Sequence, residues 1–231
     1  MIPTKLSARL QCIANRIPVC DRLIDVGSDH GFLSSYALET KRAYSVIATD
    51  IHRAPAERTG EYLSNQGFAN QADVFCRDGL SGIKLRSGDA VVIAGMGGLE
   101  IIRILESAMT EHDKEIPHDV SFLLQPQRSE EELRTFLCEN GFNIYSEEIC
   151  FDRGRSYLIL LTRYSGKPYA MSFEQIVIGP FLCENRSSTV LKYLRERVRS
   201  LEKQRLGRPE LEPLIERIKT ILNKEGEIKN E

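Results

Sequence analysis

Short apolar runs separated by segments of helical spacing organise the first two-thirds of the chain. LIDV (23–26), YSVIATD (44–50), ADVFCRD (72–78), AVVIAGM (90–96) and SFLLQP (121–126) each run into Gly, Asp or Pro. Apolar runs of this length predict strands of a parallel sheet that is buried on both faces. Between them, SSYALETK, APAERTGEYLSNQG, GLEIIRILESAMTE and SEEELRTFLCENG carry helical spacing, and the last opens on Ser129 with Glu132 three positions on, the pattern of a capping box. The rhythm changes at FNIYSEEICF (142–151) and SYLILLTRY (156–164), two β-rich runs joined through DRGR, which predict an antiparallel hairpin closing the sheet. SGKP after Tyr164 supplies Gly and Pro at a boundary, so residues 1–165 are expected to form an α/β domain and 166–231 a small helical one. In the tail Leu191, Leu194, Val198 and Leu201 fall at steps of three and four, and Leu211, Leu214, Ile215, Ile218 and Leu222 resume the pattern. This predicts a coiled-coil-like pair of antiparallel helices joined near 207–209.

Composition narrows the class without naming a partner. The chain has 231 residues, 42% hydrophobic and 28% charged, with a formal net charge of −2, as expected of a soluble globular protein. No apolar run approaches the ~18 residues of a membrane helix, and MIPTKLSARLQ has no apolar signal core, so a cytoplasmic protein without a membrane partner is expected. The six cysteines show no C-x-x-C pair and no histidines at ligand spacing, so reduced, mostly buried thiols are expected, with no metal site. Charge is uneven along the tail: between Arg186 and Arg208 eight Lys or Arg stand against two Glu. Such a helix is either a solvated face or a nucleic-acid surface, with Arg195 and Arg199 as candidate contacts.

The chemistry is carried by RLIDVGSDHGFLSSYALETKRAYSVIATDI (22–51), the outline of a nucleotide-binding βαβ unit. A dinucleotide fold requires G-x-G-x-x-G here, its second glycine letting a diphosphate reach the backbone. Counting from Gly27, that position is Asp29, whose carboxylate would crowd and repel a diphosphate. A nucleoside carrying an ammonium and a sulfonium meets no such repulsion, and S-adenosylmethionine fits. Asp50, ending the second run before Ile51, can accept both ribose hydroxyls. Asp78 can accept from an adenine amino group while Gly79 leaves room for the ring. Gly95, Met96, Gly97 and Gly98 let methionine and an acceptor come close. Asp25, the acid of the first run, completes the cofactor set. His30 is either a proton carrier or a cap or packing residue at the start of a helix, and the second role is the commoner one.

DVGSDHGFL, TDI, CRDGL, VIAGMGG, LLQPQ…LR and IGPFL resemble, in order, the bacterial TrmK-type tRNA methyltransferases, which methylate N1 of adenine 22, and LSARLQCIA is similar to that family's N-terminal helix. The resemblance implies a seven-stranded class I (Rossmann-like) methyltransferase sheet with the hairpin strand antiparallel, followed by a helical domain that helps hold tRNA. It implies cofactor contacts from Gly27, Asp50, Asp78, Gly79, Gly95 and Met96, with Asp29 and His30 beside the methyl group as candidate catalytic residues and Arg9 facing the tRNA or the target base. A monomer is expected. The sequence departs from the family pattern at Gly31-Phe32-Leu33-Ser34, where A-Y-L-P is usual, at Gln127, where Asn follows Q-P, and at Arg155-Ser156-Tyr157, where K-F-Y is common. A methyltransferase with a small-molecule or protein substrate, or a non-catalytic RNA-binding protein that keeps the fold, are the rival readings.

Overall fold

The computed structural model describes residues 4–113 and 115–227. They fall into two compact units, Met1–Met171 and Ser172–Glu231. The first unit runs past the SGKP boundary because Tyr169 is tied back to the sheet. Its hydroxyl donates to the Phe142 carbonyl and accepts from the Ile144 N–H, both at 3.2 Å, and its N–H donates to the Cys138 carbonyl at 3.0 Å.

Each expected apolar run becomes a strand: β1 (Cys20–Val26), β2 (Ala43–Asp50), β3 (Ala72–Cys76), β4 (Asp89–Met96) and β5 (Ser121–Pro126). The hairpin runs become β6 (Phe142–Asp152) and β7 (Arg155–Tyr164). The sheet order is β3-β2-β1-β4-β5-β7-β6, with β7 antiparallel to both β5 and β6 and the other pairings parallel. Leu23, Ile24, Val92, Ile93, Phe122 and Leu124 are almost wholly buried, as two covered faces require. Each such side chain contributes about 1.5–3 kcal/mol by leaving water. The order turns back on itself between β1 and β4, and the crevice beyond their carboxyl ends is where open α/β sheets hold ligands.

Among the described residues five helices complete the unit: α1 (Ala8–Arg16), α2 (Phe32–Glu39), α3 (Arg53–Asn65), α4 (Gly98–Glu111) and α5 (Glu130–Glu139). The capping box expected at Ser129 does not form. Ser129 adopts a left-handed conformation (φ 57°, ψ 44°) and its side chain makes no cap hydrogen bond. The three glutamates of the first turn supply the negative charge that the helix N-terminus favours. The turn is committed elsewhere: the Gly98 N–H donates to the Arg128 carbonyl at 2.8 Å, and a Cβ on Gly98 would lie 2.3 Å from the Ser129 carbonyl oxygen. Gly98 is therefore a packing glycine that lets α4 start against the 128–129 turn, and the ligand-approach role read from AGMGG does not extend to it. Arg134 Nε and Glu147 Oε1 meet at 2.8 Å between α5 and β6, with both side chains fully buried.

The second unit holds α6 (Phe173–Val177), α7 (Ser188–Gln204) and α8 (Glu212–Glu227), with a 3-10 turn at Pro209–Leu211. A working capping box occurs at the start of α6, between Ser172 and Gln175. Leu191, Leu194, Val198 and Leu201 of α7 and Leu214, Ile215 and Ile218 of α8 are buried, as the three-and-four spacing predicts. The helices are antiparallel, since Arg205 near the end of α7 meets Glu212 at the start of α8 (3.3 Å) while Glu202 meets Lys219 (3.0 Å). Among the described residues, no helix is long and apolar enough to cross a membrane.

Candidate active site

A cavity of about 360 Å³ opens over the carboxyl ends of the central strands. Gly27 and Asp29 line it from the turn after β1, Asp50 and Ile51 from the end of β2, Asp78 and Gly79 from the loop after β3, and Gly95 and Met96 from the end of β4. Arg9 of α1 reaches in from the side. The turn after β1 is anchored by the Gly27 and Ser28 N–H groups, which donate to the Thr49 carbonyl at 2.8 and 3.1 Å. Asp50 accepts from the His52 N–H at 2.9 Å, which fixes its carboxylate at the cavity wall.

Four candidates lie outside that lining: Asp25, His30, Arg195 and Arg199. Asp25 is 4% exposed and sits beneath the turn, accepting from Ser34 Oγ at 2.6 Å. It borders a second cavity of about 210 Å³ that shares Arg9, Gly27 and Asp29 with the first. His30 lines that smaller space, its ring stacked on Phe32 at 5.4 Å and its Nε2 3.5 Å from Asp29 Oδ2. Asp29 itself has φ 53° and lies 3.4 Å from Arg58 of α3. Arg195 and Arg199 lie on α7 in the other unit, both exposed and one turn apart, with Lys203 a further turn on. The six thiols are free; four are buried, and burial first of all pushes Cys150 up to about 12.

The structure adds Gln125, Glu100, Arg103 and Ile104, which the sequence did not single out, and gives a place to Gln127, a departure from the family pattern. Gln125 is completely buried at the end of β5, where its Oε1 accepts from Arg9 Nη1 at 2.7 Å and its amide donates to the Pro126 carbonyl at 2.8 Å. The Arg9 guanidinium also stands 5.8 Å from the centre of the Tyr157 ring. Gln127 lines the cavity, and its N–H donates to the Met96 carbonyl at 2.8 Å. On α4, Glu100 and Ile104 are one turn apart and both face the cavity. Arg103 between them pairs with Asp78 and Glu100, whose hydrogen bonds raise its guanidinium above the ordinary value, Glu100 first. The spacing of Glu100 and Ile104 was a readable signal, because i, i+4 positions of a helix that follows a glycine turn share one face.

A family model described as "Methyltransferase domain" matches residues 6–160. A relative from Bacillus subtilis, "tRNA (adenine(22)-N(1))-methyltransferase", is 31% identical over 192 residues, which is 81% of this chain and 79% of the relative. The chain belongs to this methyltransferase family. Among solved structures, the B. subtilis m1A22 tRNA methyltransferase TrmK is 27% identical with a TM-score of 0.80, covering 95% of this chain and 99% of that one. Streptococcus pneumoniae Sp1610, solved in complex with S-adenosyl-L-methionine, is 28% identical with a TM-score of 0.81, covering 94% of this chain and 100% of that one. The likeness therefore spans both units of the methyltransferase.

In this family member Asp25 makes a pH-dependent contribution to stability. Burial, opposed by the Ser34 hydrogen bonds, raises its carboxyl from 3.8 to about 6. The folded state thus holds a proton that the unfolded chain has released, so this contribution is fully present below about pH 4 and is lost as pH rises through about 6. Two units correspond to about 3 kcal/mol. Asp25→Asn keeps an acceptor for Ser34 and removes the charging cost, so urea unfolding at pH 8 should show a gain of up to about 3 kcal/mol that vanishes near pH 4. A gain of the same size at both pH values would show that charge burial is not its cause.

Proposed function

We propose that the chain transfers the methyl group of S-adenosylmethionine to N1 of adenine 22 in tRNA, acting as a monomer in the cytoplasm. The observation that carries this is the Asp29 carboxylate lining the cavity at the position where a dinucleotide fold needs glycine. A diphosphate is repelled there, and a cationic methyl donor is not. The family membership supplies the tRNA substrate.

When bound, the cofactor supplies an electrophilic methyl carbon that adenine N1 attacks in line. Neutral adenine has a lone pair and no proton at N1, so the chain needs no base before the attack. Its residues bind, orient and exclude water, which is where most of the acceleration arises. Asp50 accepts the ribose hydroxyls, Asp78 accepts from the cofactor's adenine amino group, and Ile51 and Ile104 offer apolar surface to the ring. Gly95 and Met96 flank the methionine portion. Asp29, between the two cavities, accepts from the amino group of the target base, which becomes a stronger donor as the ring turns cationic. His30, stacked on Phe32 beside it, serves the base as packing surface. Asp25 lies below, bordering the smaller cavity, where its carboxyl would offer an acceptor to the cofactor's ammonium.

Adenine 22 must leave its stack to be reached, and this calls for a basic surface that holds the tRNA backbone. Arg195 and Arg199 offer one on α7. Labelled cofactor and bulk tRNA should yield 1-methyladenosine at position 22 in a nuclease digest, and a label in any other nucleoside would refute the assignment. Arg195→Glu/Arg199→Glu should weaken tRNA binding about 100-fold near physiological salt and flatten its salt dependence. Cofactor affinity should not change. Unchanged tRNA affinity would remove α7 from the binding surface.

A further inference from the structure

The loop that follows β3 is held from two sides. Thr49 Oγ1 of β2 donates to the Gly79 carbonyl at 3.0 Å. On the other side α4 supplies both a contact and a clamp. A Cβ on Gly79, which has φ 54°, would stand 3.0 Å from two Ile104 carbons, so the loop backbone lies directly against α4. One residue earlier on α4, Arg103 grips Asp78 through both terminal nitrogens, Nη1 to Oδ2 at 2.8 Å and Nη2 to Oδ1 at 2.6 Å. The same guanidinium bonds Glu100 through Nε at 3.2 Å and Nη2 at 2.6 Å. Asp78, Gly79, Glu100 and Ile104 all face the large cavity, but Arg103 does not line it.

We propose that Arg103 is a positioning residue that makes this end of the cavity select a 6-amino purine over a 6-oxo purine. The inference rests on the reading above that Asp78 meets the purine's amino group. A fork-on-fork pair uses one lone pair of each carboxylate oxygen and fixes the plane of the group. The remaining lone pairs of Asp78 are then presented in one orientation, and a carboxylate so engaged offers acceptors only. An exocyclic amino group satisfies them. An exocyclic oxygen at the same position brings a second acceptor against the first and leaves both unpaired, which is how a site built for a donor rejects the analogue lacking it. Glu100 holds the guanidinium from its own helix, so the direction of the fork is set by α4 and not by the mobile end of one side chain.

The test is calorimetric titration of the protein with S-adenosylhomocysteine and with its 6-oxo counterpart, S-inosylhomocysteine. The wild-type chain should prefer the amino compound by roughly tenfold or more, a discrimination modest for a half-exposed site. Arg103→Met should weaken S-adenosylhomocysteine and leave S-inosylhomocysteine within about twofold, so that the preference collapses. Arg103→Lys, which restores a cation without the fork, should recover part of it. A role confined to holding α4 against the loop would weaken both compounds equally, and that result overturns the proposal, as does an unchanged preference in Arg103→Met. Asp78→Asn separates the two levels. If it keeps the wild-type preference, the placement of the amino group at Asp78 is wrong. If it loses the preference while Arg103→Met retains it, Asp78 stands and only the role of Arg103 falls.

Discussion

Glu147→Leu is expected to lower the unfolding free energy of the methyltransferase unit by about 3–5 kcal/mol, and Arg134→Met by a similar amount. The pair bridges α5 and β6 with no side-chain exposure on either partner. Removing one member takes from the other a buried charged partner at 2.8 Å, and the low-dielectric interior magnifies that cost. Replacing both together should cost far less than the two single changes combined, because hydrophobic side chains of similar volume need no counter-charge. Urea unfolding of the four proteins gives the coupling directly. Additive losses would mean that the two side chains act through separate contacts and that their ion pair is incidental.

This pair also marks what the sequence could not disclose. Arg134 and Glu147 are thirteen positions apart, in a helix and a strand that were each legible, but the register that brings them together is fixed only when α5 packs on β6. Legible features were those with a local period. The five parallel runs, the hairpin and the two tail helices follow from apolar spacing, because burial on one or two faces imposes a period of 3.6 or 2 on the chain. Ser129 shows the opposite case. Its pattern with Glu132 met every local requirement for a capping box, yet where Gly98 of α4 bonds the Arg128 carbonyl the Ser129 backbone is left-handed and its side chain caps nothing. Gly98 was misread for the same reason, since a glycine beside a ligand site and a glycine beside another backbone look alike in one dimension.

The candidate site divides along the same line. Residues at the ends of strands line one cavity because strand ends converge in a parallel sheet, whatever the details of packing. Asp50, Asp78, Gly79 and Gly95 needed only the strand order. Asp25 lies one step earlier, beneath the turn, where it accepts from Ser34 and borders the smaller cavity. Gln125 and Arg103 were missed because each acts through a partner. Nothing in LLQPQ or in GLEIIRILES says which polar side chain will meet an arginine from α1 or an aspartate from another loop.

Arg9→Met is expected to lower kcat/KM for tRNA about 100-fold while leaving the cofactor dissociation constant within about threefold. The target ring gains positive charge during transfer, so a guanidinium is poorly suited to contact the ring and well suited to a phosphate of the extruded nucleotide. The loss should therefore appear in KM more than in kcat, and Arg9→Lys should restore part of it. Gln125 acts here through Arg9, holding Nη1 at 2.7 Å from a position with no solvent exposure. Gln125→Leu should cost about tenfold, and Arg9→Met/Gln125→Leu should be no worse than Arg9→Met alone, since an aimed side chain that is absent cannot be misaimed. The discriminating quantity is the coupling between the two changes in steady-state kinetics. If their effects multiply, Gln125 serves the reaction by another route, and the side-chain pair at the cavity wall does not set the direction of Arg9.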